Sequence, residues 1–146
     1  DGASNYVFNN GEIFAANDTG IEFSGGFGQI LNYGNITGNF GIEIASDSVV
    51  LNSGAIFGLN YGVLMNGLSS TITNSGSIIG GVGAITVHGE DNKIINHGFI
   101  GLSDYQEGDF SFAITSIGGS LDLTNHGTIE GGLMMTGTGN DIFDAA

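Results

Sequence analysis

The sequence has no cysteine, no proline and a single basic residue, Lys93. Each shortage removes a class of protein. Without cysteine, disulfide frameworks and thiolate metal sites are excluded. The compartment stays open, although such a chain is suited to crossing an envelope unfolded. Without proline, and with 28 glycines that follow no Gly-X-Y period, collagen-like and polyproline folds fail. Fifteen acidic residues against one base give a formal charge of -14. A nucleic-acid partner needs several cations to displace counterions from phosphates, and an anionic membrane surface needs them too. Calcium, or a saline medium that screens self-repulsion, suits this balance better. No apolar run approaches the ~20 residues of a membrane span, so direct membrane insertion is not expected. The chain begins at Asp1 with neither methionine nor signal peptide, as a mature product or an excised fragment would.

What is present is regular. Apolar residues make up 40% of the chain and recur at fixed intervals, which glycine-rich disorder does not do. The length suits one domain, 1–146, with a continuous core. Six segments read aliphatic-x-Asn-x-Gly-x-Ile: VFNNGEI, ILNYGNI, VLNSGAI, ITNSGSI, IINHGFI and LTNHGTI. Their asparagines are Asn9, Asn32, Asn52, Asn74, Asn96 and Asn125, at successive spacings of 23, 20, 22, 22 and 29 residues. The aliphatic column is Val7, Ile30, Val50, Ile72, Ile94 and Leu123; four places after each asparagine stands an isoleucine, from Ile13 to Ile129. A second apolar pair follows in most coils: Ile21/Phe23, Ile42/Ile44, Val63/Met65, Ile85/Val87 and Leu133/Met135. Alternation at a period of two is the signature of strands, and strands this short between glycine turns leave no room for helices. The expected fold is therefore all-β: a single-stranded, right-handed parallel β-helix of about six coils, roughly 22 residues per coil. Each coil must bury its apolar faces against the coils above and below.

The asparagines ask for a structural role. Corners of a coil hold partly buried backbone groups that need partners, and an amide side chain carries both donors and an acceptor. Stacked copies can bond to one another along the axis at the ~4.8 Å strand spacing. The glycine two places later is expected to supply a positive φ at the corner.

Two places break the pattern. In the fifth repeat Gly101 arrives one place early and residues 102–110 are surplus, a loop insertion expected to project from one edge. At the end, Gly139 to Asp144 resembles Asp91 to Asn96, which puts Ile142 on the aliphatic column and Asp144 where an asparagine stood. A seventh coil begins there. Neither end has a polar cap, so continuation in a longer protein or end-to-end self-association is expected to cover the open strand edges.

At these residues the chain resembles the β-helical passenger domains of bacterial autotransporter adhesins, whose degenerate Asn-x-Gly-x-Ile-x-Gly coils are matched by NYGNITG (32–38), NSGAIFG (52–58), NSGSIIG (74–80) and NHGTIEG (125–131). GTGNDIFD (137–144) is similar to the glycine–aspartate segments of such passengers and of calcium-binding RTX repeats. The resemblance implies a non-enzymatic structural or adhesive segment, secreted or displayed on the cell surface. Its partners would be a glycan or a host or cell-surface receptor. A calcium-dependent surface-layer or RTX-type element, with Asp141 as a ligand, is the alternative that the terminal motif implies. Carbohydrate-active enzymes share this fold, and fold does not give function.

The candidate sites follow from chemistry. Asp104, Glu107 and Asp109 in the surplus loop offer oxygen ligands for calcium, which takes about six to eight of them; the plainer reading is a solvated acidic loop. Tyr105 and Phe110 beside them could stack on a sugar. His97 and His126 share one column on adjacent coils, close enough to share a transition metal, but Asn10, Tyr33, Ser53 and Ser75 hold that column elsewhere, as an exposed, permissive position would. Glu22 and Glu43 are stacked carboxylates, the equipment of a glycoside hydrolase, a calcium chelate or simple repulsion. Polysaccharide lyases of this fold use an arginine or lysine base, and this chain has no arginine.

Overall fold

The structure is a computed structural model that describes residues 4–104, 111–137 and 139–145. These residues form parallel strands and no helix, wound as a solenoid with three flat faces. Face one is a parallel sheet of β1 (Asn5–Asn9), β4 (Gly28–Asn32), β6 (Val49–Asn52), β8 (Thr71–Asn74), β11 (Asn92–Asn96), β14 (Leu121–Asn125) and β17 (Ile142–Ala145), in that spatial order. Faces two and three share the long strands β5 (Asn35–Ile44) and β7 (Ala55–Met65), whose two halves lie on different faces. Face two stacks β2 (Glu12–Phe14), the first halves of β5 and β7, β9 (Ser77–Gly80), β12 (Phe99–Leu102) and β15 (Thr128–Glu130). Face three stacks β3 (Ile21–Phe23), the second halves of β5 and β7, β10 (Gly83–His88), β13 (Phe112–Gly118) and β16 (Gly132–Gly137).

Register follows the repeat. Each ladder asparagine pairs with the next from Asn9 through Asn125. Each isoleucine of the second column pairs with its successor from Ile13 to Ile129. The three faces send Ile30, Val50, Ile72 and Ile94, then Ile36, Ile56, Ile78 and Ile100, then Ile42, Val63, Ile85 and Ile114 into one core, all with no exposed surface. β-Branched side chains suit this arrangement, because their restricted χ1 costs little in a strand and identical shapes nest at the strand spacing. Burying each contributes roughly 1.5–3 kcal/mol relative to exposure, offset by the entropy of ordering the chain. In the fifth coil the second apolar pair is Ile114 and Ser116, so a serine occupies a core column otherwise filled by Phe23, Ile44, Met65 and Val87.

Two expectations are corrected. The ladder glycines are not at positive φ; that conformation falls at Gly89, Gly118, Gly131 and Gly137 and, without glycine, at Phe27, Asp47, Ser69 and Asp91. Close approach of backbones explains the glycine column instead. A Cβ on Gly34, Gly54 or Gly76 would stand 2.0 Å from the carbonyl oxygen of the glycine one coil back. The terminal register is also shifted by one residue. Phe143 pairs with Leu123 on the aliphatic column and Ala145 faces Asn125, whereas Ile142 and Asp144 pair with Asp122 and Thr124 on the outer surface. The Asp141 side chain sets this register: its Oδ1 accepts the Leu121 N–H at 2.9 Å, and a one-residue slip moves every later side chain to the opposite face.

Candidate functional site

The asparagine ladder is a continuous chain of amides. Nδ2 of Asn9, Asn32, Asn52, Asn74 and Asn96 each donates to Oδ1 of the next asparagine at 2.8 Å. The same nitrogens donate to backbone carbonyls across the corner in the next coil: Asn35, Ala55, Ser77, Phe99 and Thr128, at 3.1–3.2 Å. These bonds join one coil to its neighbour, and further bonds to the glycine two places on close each asparagine's own turn, so the ladder holds architecture rather than substrate.

A second polar ladder stands at the preceding corner and is not legible as a column of like letters. Ser48 Oγ, Ser70 Oγ and Asn92 Oδ1 accept the N–H groups of Gly28, Ser48 and Ser70 at 3.3, 3.0 and 3.0 Å. The coil at Leu121 interrupts it, and Asp141 resumes it. The signal was present: each of these residues lies two places before the aliphatic column, hence on the same inward face. Their varied identity hid it.

The sequence-predicted sites distribute unevenly. Asp104 is exposed in the turn after β12, while Tyr105, Glu107, Asp109 and Phe110 lie outside the described residues. Leu102 closes β12 and is buried, and the Ser103 N–H still donates to the Gly80 carbonyl of the previous coil at 3.0 Å. Asp141 has one carboxylate oxygen engaged with backbone, as above. Among the described residues, no three carboxylate, imidazole or thiol groups converge on a point where a metal ion could sit. His97 and His126 do stack, with ring centroids 5.0 Å apart and planes 6° from parallel, both on the exposed surface. Glu22 and Glu43 are register partners on face three. Lys93 is engaged with Asp122 at 2.7 Å, both side chains about two-fifths exposed.

Beside Glu43 runs a short polar chain on the outside of face three. Glu43 Oε1 lies 2.7 Å from Asn66 Nδ2, and Asn66 Oδ1 lies 3.0 Å from His88 Nδ1. An ionised carboxylate only accepts, so the Asn66 atom that meets it must be the amide nitrogen. The amide oxygen then faces His88, and Nδ1 must carry a proton to bond it. Neutral His88 is thereby held as the tautomer whose Nε2 keeps its lone pair.

Three surface hollows accompany these groups. One of about 670 Å³ lies over face one beside Asp91, Lys93, Ser120 and Asp122. One of about 460 Å³ lies on face three between Tyr61 and Phe112. One of about 230 Å³ lies against Glu22, Glu43 and Asn66. Comparison with protein-family models, with curated proteins and with solved structures gave no match. The site must therefore be judged on its own chemistry. One polar ladder that runs from Asn9 to Asn125, a second that is interrupted at Leu121, and a single core make a stiff frame, and outward residues of all three faces, Phe8, Phe14 and Phe112 among them, are exposed.

Proposed function

We propose that this chain is a rigid, non-enzymatic segment of a secreted or surface-displayed bacterial protein, a β-solenoid rod that mediates attachment to a surface. The observation that carries this reading is the constancy of register. The same asparagine and isoleucine columns pair from coil to coil. Bending such a rod at any point would strain the backbone and side-chain hydrogen bonds between the two coils that meet there, so it transmits position and force along its length. The strong acidic charge, with its lone lysine already paired, keeps like rods apart and fits a saline exterior. The coil pattern favours the passenger domain of an autotransporter adhesin as the larger setting.

Attachment can be measured directly. Beads coated with the chain should be retained under flow on surfaces bearing host-cell glycans or receptors, above beads coated with a folded protein of equal charge. Retention no better than that control would refute the adhesive reading. Release of reducing ends or unsaturated products from a polysaccharide panel would replace it with an enzymatic one. In the encoding gene, a downstream membrane β-barrel is expected; tandem RTX nonapeptides would assign the rod to a different export route.

A further inference from the structure

On face three, aromatic rings, hydroxyls and an oriented imidazole share one concavity of about 460 Å³. Its shape comes from a missing side chain. Gly83 pairs with Tyr61 of the previous coil, and the coil on its other side, β13, opens with Phe112. The outward column thus carries a ring, a gap and a ring. Tyr61 is steadied from behind by Phe40, whose ring stacks on it at 5.8 Å with planes 10° apart. The Tyr61 ring leans over the gap, because a Cβ on Gly83 would come within 3.3 Å of it. The Phe112 ring reaches the other way, over Gly132, and is exposed. Thr86 and Thr115 pair across β10 and β13 at the base of the hollow. His88 closes one end; in the neutral ring its Nε2 is left as an acceptor by the Glu43–Asn66–His88 chain.

These groups select a ligand by chemistry. The aromatic walls offer flat apolar faces to stacked C–H groups, while the two threonines and the imidazole offer donors and acceptors at the edge. A wholly apolar ligand would leave those polar groups unmatched when water is expelled. Neither lysine nor arginine lines the hollow, and the chain's charge of -14 repels anions. A ring with an apolar face, a hydroxylated rim and no charge meets all three conditions, and the volume lies within the range of small-molecule sites. We infer that the Tyr61–Gly83–Phe112 hollow of face three binds a neutral sugar, with one or two pyranose rings held against the aromatic walls and hydroxyls bonded to Thr86, Thr115 and His88 Nε2. This deepens the adhesive reading by giving it a ligand class and a place, and so rests on it.

The test uses the full chain, first on an array of neutral oligosaccharides and then by calorimetric titration with the sugar bound best. Phe112→Ala, in which an exposed ring is removed, should weaken binding by about tenfold or more, the equivalent of one good stacking contact. Tyr61→Ala and His88→Ala should weaken it as well, and Phe112→Tyr should restore it, all with unchanged melting for the Phe112 variants. Should Tyr61→Ala unfold, the Phe112 pair decides. Undiminished binding by Phe112→Ala and His88→Ala would place the sugar elsewhere and overturn the inference, leaving adhesion intact. No neutral sugar bound, while coated beads still adhere to a protein-coated surface, would overturn the ligand class alone. Failure in both assays would remove the adhesive reading as well.

Discussion

Replacing Asn74 by alanine removes a wholly buried side chain from the middle of the ladder. It accepts from Asn52 at 2.8 Å and donates to Asn96 at 2.8 Å and to the Phe99 carbonyl at 3.1 Å. These three bonds between coils, at about 1 kcal/mol net each, give a loss of about 3 kcal/mol; the bond to the Gly76 carbonyl of its own turn, at 3.3 Å, has its counterpart at Asn125 and cancels in the comparison. Asn125 provides an internal control. Ala145 faces it where a seventh asparagine would stand, so it accepts from Asn96 but donates only to Gly127 of its own turn. Asn125→Ala should cost about 1 kcal/mol. Asn74→Asp sharpens the comparison, because a carboxylate would set acceptor against acceptor at both Asn96 and Phe99; it should cost more than alanine at neutral pH. Urea unfolding followed by far-ultraviolet circular dichroism gives the equilibrium values, and native-state hydrogen exchange reports whether the loss is confined to neighbouring coils. Equal costs at Asn74 and Asn125, or an aspartate no worse than alanine, would refute the claim that inter-coil amide bonding stabilises the rod.

Other perturbations separate close packing from charge. Gly76→Ala puts a Cβ 2.0 Å from the Gly54 carbonyl and should cost at least the upper part of the ~1–3 kcal/mol usual for overpacking, whereas Gly11→Ala meets open space and should cost far less; equal melting temperatures would contradict the close-approach account. Among the described residues Ser116 Oγ is buried with no partner, so Ser116→Ala should raise stability by about 1 kcal/mol. A loss of stability in the same unfolding assay would show that the hydroxyl serves a partner. Lys93→Ala breaks a half-exposed ion pair, and solvent screening limits its effect to about 0.2–1 kcal/mol. Added sodium chloride should raise the melting temperature of the wild-type chain, since its net charge of -14 opposes compaction; a fall would argue against self-repulsion.

Much of this fold was legible because a solenoid repeats one local solution. The asparagine spacing, the isoleucine column and the apolar pairs each report a position that every coil must fill alike. The second ladder was less legible: Ser48, Ser70, Asn92 and Asp141 do the same work with three residue types. The terminal register was misread for a related reason. The similarity of Gly139 to Asp144 with an earlier turn ranked matching letters above the backbone bond to Asp141, which puts Phe143 rather than Ile142 on the inner column. On the outer surface no such constraint operates. The groove depends on Gly83 falling between Tyr61 and Phe112, residues 22 positions from the first and 29 from the second in a chain whose coils differ in length. The tautomer of His88 depends on Glu43, two coils away along the stack.

The sequence by itself determined that the chain coils, how many residues each coil takes and which columns face inward, because burial and backbone hydrogen bonding act on every repeat in the same way. Only the tertiary structure decided why the ladder glycines are glycine, how the last coil is registered and which outer residues meet in one hollow. Those depend on distances between coils, and such distances are fixed by packing after the repeat has closed rather than by any single segment of the chain.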